Sequence, residues 1–356
     1  MSASLSIFEA AEAEPDRLAL VAGSERLSYA ELAVRVEQRL GELSAGGLLD
    51  PDGQRPVALV ARPTLSTVET LFALFAAGTP ALLLHERSTA HERAGLVSRA
   101  GAVGFDVATG ISPAGPMKLK RFDPERIAVL IATSGSSGQP KLARLSHRAL
   151  LAAARQSAAH LGVEPADRWL ACLPLGHVGG LSILTRMLFA HRTSVLFDPQ
   201  GPLLHALPRL VRAIEESEIT LLSLVPALLE RLLAPPISWS PPRHLRAVLL
   251  GGAATSSALL RKAAERGVPV LTTYGLTETA AQAATRPYPE RGLPPALDSP
   301  LAPSGVPLPG VEIRIVDGTI EVRGPSLFSG YVGDSGEIEP ETWFRTQDRG
   351  YLDANG

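Results

Sequence analysis

The chain is poor in cysteine, in aromatic residues and in net charge. Its single cysteine among 356 residues, Cys172, cannot close an internal disulfide, which suits a reducing compartment. The apolar run around it, Trp169-Leu170-Ala171-Cys172-Leu173, makes it a buried small hydrophobe. A net charge of −2 gives no field that would draw in nucleic acid or an anionic membrane. The longest apolar stretch, Leu71 to Leu84, is interrupted by Gly78, Thr79 and Pro80 and is too short to cross a bilayer. Met1-Ser2-Ala3-Ser4 lacks the basic and apolar regions of a signal peptide. The eight histidines are scattered without metal-ligand spacing, so no structural zinc site is expected. These absences point to a cytoplasmic protein without nucleic-acid or membrane partners, and they leave a homodimer open.

What is present is a globular composition, 45% hydrophobic and 20% charged, in a chain longer than one ordinary domain. Short apolar runs alternate with helical patterns. Ile127–Ile131 precedes a helix capped near Ser146, with Leu150, Ala154 and Leu161 on one face. Trp169–Leu173 precedes the apolar segment Val178 to Ala190, and Thr193–Phe197 precedes a helix over Leu203–Glu216. Ile219–Val225 precedes a helix opening at Pro226, and Leu245–Leu250 one over Ser256–Arg266. Val268–Thr272 precedes a helix starting near Thr277. This alternation predicts an α/β protein with a mostly parallel sheet, whose ligands collect at the carboxyl ends of the strands. Three regions are expected: an α/β subdomain over 1–120, with a helix opening at Ser28-Tyr29, a second over 121–286, and a proline-rich connector with a small β-rich lobe over 287–356. In that lobe, Val311–Val316 and Thr319–Arg323 flank Asp317-Gly318 as a hairpin.

The segment Thr133-Ser134-Gly135-Ser136-Ser137-Gly138-Gln139-Pro140-Lys141-Leu142 packs hydroxyls, glycines and a lysine behind an apolar strand. Its glycines let backbone N–H groups approach an anion, and the hydroxyls and lysine add donors. The spacing fits neither a Walker A loop nor a nucleophile elbow. A flexible surface loop between strand and helix would have the same composition.

Three further segments carry chemistry. His177 lies between glycine-containing turns, in Leu175-Gly176-His177-Val178-Gly179-Gly180, either poised in a cleft or satisfied structurally. Gly251-Gly252-Ala253 follows a buried strand, and either receives a flat ring or simply turns the chain. Thr273-Tyr274-Gly275-Leu276-Thr277-Glu278-Thr279 joins a strand end to a helix start, where backbone N–H groups favour an anion and Glu278 can hold Mg²⁺. A helix-capping Thr-Glu pair would look the same.

Together these segments resemble the signature motifs of the adenylate-forming superfamily of acyl-CoA synthetases, nonribosomal adenylation domains and luciferases. The resemblance covers nearly the whole chain. It implies a large N-terminal domain built of two helix-covered, mostly parallel sheets plus a small β-rich lobe. It implies that Thr133, Ser134, Gly135, Ser136, Ser137, Gly138 and Lys141 grip the ATP phosphates. Gly251, Gly252, Ala253, Thr273, Tyr274 and Gly275 are then expected around the nucleotide, Thr277 at the α-phosphate, Glu278 on Mg²⁺ and Asp348 of Thr346-Gln347-Asp348 on the ribose. His177, Lys141, Thr277 and Glu278 would carry the chemistry. His177, Gly179, Arg186, Gly252 and Thr279 would receive an aromatic carboxylic acid, and coenzyme A would be the second substrate. Within the superfamily the likeness is nearest to the 2-succinylbenzoate–CoA ligases of menaquinone biosynthesis. Leu142 and Gln347 depart from the family pattern, each standing where glycine is common. In the family a hinge and a mobile C-terminal domain bearing a lysine follow the point reached by Gly356. On that reading the 356 residues bind ATP and acyl-AMP but adenylate poorly.

Arg186 stands nine residues after His177 in an otherwise apolar helix. Such an arginine pairs with an anion or snorkels to solvent. The second carboxylate of 2-succinylbenzoate is the anion the resemblance suggests.

Overall fold

The computed structural model describes residues 4–50, 52, 55–105, 123–133, 140–294, 300–334, 336 and 338–353. They form three sheets. In the nine-stranded sheet the order is Val306–Pro307, Ala284–Thr285, Val270–Tyr274, Ala247–Leu250, Leu221–Leu224, Arg168–Ala171, Thr193–Leu196, Leu18–Ala22 and Glu25–Ser28. All strands from Val270–Tyr274 to Leu18–Ala22 run parallel, and the edges are antiparallel. A five-stranded sheet orders Val103–Phe105, Val57–Val60, Ala81–Leu84, Ile127–Thr133 and Lys141–Ser146, parallel except for the last pair. A three-stranded antiparallel sheet joins Glu312–Val316, Thr319–Arg323 and Phe344–Arg349.

The sheets do not follow the expected division of the chain by residue number. Leu18–Ser28 pairs into the large sheet, while Ile127–Thr133 and Lys141–Ser146 complete the small one. Strand pairing is non-local, so the order of elements along the chain does not reveal it.

Side-chain alternation along the large sheet separates two cores. Trp169, Ala171, Leu221, Ala247, Leu249 and Leu271 face inward, into a cluster shared with Leu59, Leu71 and Leu83 of the small subdomain. Leu170, Leu222, Leu224, Val248, Leu250 and Val270 face outward. There they pack under the apolar stripes of Leu207–Glu216, Pro226–Leu233 and Ser257–Glu265. Helix Val178–Ala190 lies inside the inner core, with every residue from Gly180 to Ala190 buried. It is apolar nearly all round because it touches protein on all sides. Helix His147–Leu161 packs beside it.

Local signals set most boundaries. Ser28 and Glu31 form a reciprocal capping box that opens Tyr29–Ala45, and Ser146 Oγ accepts from Ala149 N at 3.2 Å to open His147–Leu161. The hairpin turns at Asp317 and Gly318, both at positive φ (51° and 74°), as a two-residue turn requires. The expected helix over Leu203–Glu216 begins later: Leu203–His205 is a 3₁₀ turn and the α-helix spans Leu207–Glu216. Leu142, one of the two departures from the family pattern, is 1% exposed and fills the outer core of the small sheet with Ala58, Leu82, Leu84 and Leu130.

Candidate nucleotide and acid site

The carboxyl ends of strands Ala81–Leu84 and Arg168–Ala171 lead to one place, where such folds collect their ligands. His85 follows strand Ala81–Leu84 of the small sheet, and His177 follows strand Arg168–Ala171 of the large one. Their ring centroids lie 4.8 Å apart. A Cβ on Gly176 would come within 2.9 Å of the His85 Cα, so only glycine lets the two strand exits close together.

The two flanks of the phosphate-loop candidate lie on paired strands rather than on a strand and a helix. Thr133 and Lys141 are Cα partners in an antiparallel ladder. Ser134, Gly135, Ser136, Ser137 and Gly138 lie outside the described residues. Lys141 Nζ stands 4.6 Å from the Tyr331 ring centroid, a cation–π contact.

Tyr274 ends strand Val270–Tyr274, and Gly275 follows where a Cβ would lie 2.0 Å from the Ala281 carbonyl oxygen. The expected helix at Thr277 is only a 3₁₀ turn, Thr277–Thr279. Ala280 and Ala281, at φ 50° and 98°, reverse the chain into Ala284–Thr285, which pairs antiparallel with Thr273 and Tyr274. A turn this short has no helix dipole to offer an anion. Thr277 and Glu278 stay half-buried on it. Thr279, expected at the acid, is 1% exposed; its hydroxyl accepts from Leu276 N at 2.9 Å and donates to Leu276 O. Thr273 donates to the Ala284 carbonyl at 2.9 Å.

Glu278 is held from outside its own segment. Tyr331 donates its hydroxyl to Glu278 Oε1 at 2.7 Å, and Phe328 N donates to the Glu278 carbonyl at 2.9 Å. Burial, reinforced by the Glu278 carboxylate, raises the Tyr331 phenol above its ordinary pKa and keeps it a donor. Among the described residues no hydrogen bond reaches Glu278 Oε2. No cluster of three or more His, Cys, Asp or Glu residues forms there either. One fixed carboxylate with a free oxygen fits Mg²⁺ that arrives on nucleotide phosphates rather than in an all-protein cage. Close to Glu278, Tyr274 donates to Asp348 Oδ2 at 2.9 Å, and Thr346 Oγ1 accepts from Asp348 N at 3.1 Å. Burial is the main cause raising the Tyr274 phenol.

His177, expected at the acid, is the N-cap of Val178–Ala190 but makes no side-chain cap bond. Burial first, then His85 and Arg87, holds its imidazole below the ordinary histidine value. Burial, Arg87 and Arg93 do the same to His85. His85 Nδ1 accepts from Arg87 N at 3.0 Å, which places the neutral ring's proton on Nε2. Gly180 sits where a Cβ would strike the Pro174 carbonyl at 2.3 Å, so the helix begins tight against the strand exit. Gly179 is half-buried beside it. Gly251 makes room for Thr273 Cγ2, 2.7 Å from a would-be Cβ, and Gly252 turns at φ 79°. Gly252 and Ala253 are exposed.

Arg186 does not snorkel. It is 4% exposed, because the helix that carries it has no solvent face. No acidic side chain pairs with it among the described residues, its Nε has no hydrogen-bond partner, and its Cζ lies 5.1 Å from the Trp169 ring centroid. Burial lowers its pKa to about 9. An indole face offsets ~2 kcal/mol of a desolvated cation's cost, less than a buried ion needs without an anion.

Sequence reasoning missed His85, Trp169 and Tyr331. His85 directly follows a buried strand, Ala81–Leu84, which was a usable signal. Trp169 was visible only as a core residue, and Tyr331 reaches Glu278 across 53 residues.

The AMP-binding enzyme family model matches residues 7–105 and 102–332. The chain is 31% identical over 365 residues to a 2-succinylbenzoate–CoA ligase of Listeria monocytogenes, covering 96% of this chain and 74% of that protein. Its fold matches the o-succinylbenzoate CoA synthetase (MenE) of Bacillus subtilis in complex with an acyl-adenylate intermediate. That match has a TM-score of 0.86 and 27% identity, and covers 98% of this chain and 96% of that one. The same enzyme in complex with ATP and magnesium ion matches with a TM-score of 0.86, 27% identity and coverage of 98% and 77%. The motifs, the meeting of strand ends from two mostly parallel sheets and these likenesses agree: the chain belongs to the AMP-binding enzyme family.

Proposed function

We propose that this protein is an ATP-dependent, AMP-forming acid–CoA ligase acting on 2-succinylbenzoate in menaquinone biosynthesis. The observation that carries the choice of acid is Arg186, a buried guanidinium with no acidic side chain beside it among the described residues, on the helix capped by His177. At 1.5 Å rise per residue it lies about 13 Å along the axis from His177, and a helical side chain leans back toward the N-terminus. An acid whose succinyl carboxylate reaches His177 can then present its ring carboxylate to Arg186. ATP, Mg²⁺ and coenzyme A are the remaining reactants, in line with the ATP–magnesium and acyl-adenylate complexes of the Bacillus subtilis enzyme.

In the first half-reaction a succinyl carboxylate oxygen attacks the α-phosphorus of ATP, and the bond to the bridging oxygen of pyrophosphate breaks. In the second, the CoA sulfur attacks the acyl carbon and AMP leaves. Bound Mg²⁺ supplies charge neutralisation at the phosphates. The protein mainly positions and neutralises. Glu278, fixed by Tyr331, offers Oε2; Lys141 and Thr133 flank the phosphates; Thr277 faces the α-phosphate; Asp348 takes the ribose hydroxyls. His177, kept neutral, orients the attacking carboxylate without holding it as a salt. No covalent enzyme intermediate is needed.

The test is pyrophosphate exchange, with calorimetric binding, across a panel of aryl and β-keto acids. Preference for 2-succinylbenzoate that disappears in Arg186→Leu supports the assignment. An unchanged KM or Kd for the dicarboxylate in that variant overturns the choice of acid and favours a related ligase of secondary metabolism. Nucleotide that binds with no pyrophosphate exchange and no acid bound overturns the enzyme in favour of a non-catalytic nucleotide-binding remnant. Among the described residues no helix is long and apolar enough to cross a membrane; the supply of ATP and CoA places the reaction in the cytoplasm. Light scattering at assay concentration decides between monomer and homodimer.

A further inference from the structure

The Arg186 guanidinium rests on an aromatic face where buried arginines ordinarily have a carboxylate. Trp169 is 1% exposed and belongs to the inward-facing row of the large sheet, directly against helix Val178–Ala190. Its plane is set by a neighbouring strand: the indole Nε1–H donates to Ser223 Oγ at 3.1 Å, and Ser223 follows closely on Leu221, the register partner of Trp169. Ser223 is itself 6% exposed, and its carbonyl accepts from Cys172 Sγ at 3.5 Å. The ring is therefore clamped from one side and meets the cation on its face, at 5.1 Å.

We propose that Trp169 is the positioning and specificity-setting residue for Arg186, an aromatic shelf that stabilises the guanidinium without neutralising it, so that its donors stay free for the second carboxylate of a dicarboxylic acid. The proposal rests on the acid reading given above. A carboxylate in the place of the indole would occupy the planar fork of Arg186 and close the subsite. An aliphatic side chain would leave a buried cation with nothing to offset its desolvation, and the guanidinium would turn away or lose its proton. An indole does neither, because its quadrupole attracts the cation while its face accepts no N–H fork.

The experiment uses the full chain and two acyl-adenosine sulfamates that differ only in the ring carboxylate, with binding measured by calorimetry. The readout is the ratio of their dissociation constants. Trp169→Leu is expected to reduce the preference for the dicarboxylate analogue about tenfold, with the monocarboxylate analogue changed less than about threefold. Trp169→Phe keeps a ring face and most of the preference. Should Trp169→Leu fail to fold, site-specific fluorination of the Trp169 indole replaces it. The shape is then nearly constant, and the preference is expected to fall stepwise with each added fluorine. Retained preference in Trp169→Leu or in the fluorinated series, with Arg186→Leu having lost it, overturns the shelf and leaves the acid reading standing. Equal loss of both analogues also overturns it, as plain structural damage. Preference retained in Arg186→Leu overturns the acid reading, and the proposal with it.

Discussion

Tyr331 joins Glu278 to Lys141: its hydroxyl donates to Glu278 Oε1 at 2.7 Å, while its ring lies 4.6 Å beneath Lys141 Nζ. The segment around it is stitched to both partners. Val332 N donates to Leu142 O and Ser329 N to Arg144 O, while Phe328 N donates to Glu278 O. A residue remote in sequence from either motif thus fixes the distance between them.

Tyr331→Phe removes only the hydroxyl. A hydrogen bond to a charged group contributes about 1.5–3 kcal/mol, so MgATP affinity is expected to drop by roughly ten- to a hundredfold, with a higher Mg²⁺ requirement. Tyr331→Leu, which also removes the ring under Lys141, should lose more. Calorimetric titration of MgATP against each variant checks this, and equal affinities for wild type and Tyr331→Phe would contradict it.

The His85–His177 contact predicts a pH effect. His85 and Arg87 hold the His177 imidazole below its ordinary value after burial has done so. Replacing His85 by Asn therefore raises the His177 pKa, and the acidic limb of acid binding moves to higher pH. Following the His177 Cε1–H resonance by NMR reads this directly; a titration midpoint that stays put would show that the rings merely touch.

His147 gives a stability prediction of definite sign. Burial, the largest cause, lowers its pKa to about 4, against about 6.5 in an unfolded chain. Between those values the unfolded state binds more protons, so stability falls as pH drops from about 6.5 to 4 and is independent of this group above or below. The loss reaches on the order of 3 kcal/mol. Denaturant midpoints for His147→Gln should depend less on pH across that window than those of the wild type.

Leu142→Ala tests the departure from the family pattern. Leu142 is 1% exposed among Ala58, Leu82, Leu84 and Leu130, and truncating such a leucine costs about 2–5 kcal/mol. Urea unfolding should show that loss. Little change would mean that the small sheet tolerates the space that glycine leaves in other family members.

Local order was legible wherever one element carries its own signal. The helices capped at Ser28, Ser146 and Ser256 and the Asp317-Gly318 turn begin or reverse as read, because caps and positive φ are satisfied within a few residues. The helix expected at Thr277 failed for a non-local reason: the chain returns through Ala280 and Ala281 to pair Ala284–Thr285 with Thr273–Tyr274, and ladder bonds replace helical ones. Arg186 was legible as an arginine in an apolar helix, but not as a buried one.

The sequence by itself determined the order of strands and helices, the family motifs and the residue types that can hold phosphate, ribose and carboxylate, since periodicity and turn chemistry act over short stretches of chain. Only the tertiary structure decided that His85 meets His177, that Tyr331 holds Glu278 and that Arg186 lies buried on Trp169. Those contacts depend on which strands become neighbours and on which face a central helix turns to each sheet. The burial of a whole core sets that choice, and no single segment encodes it.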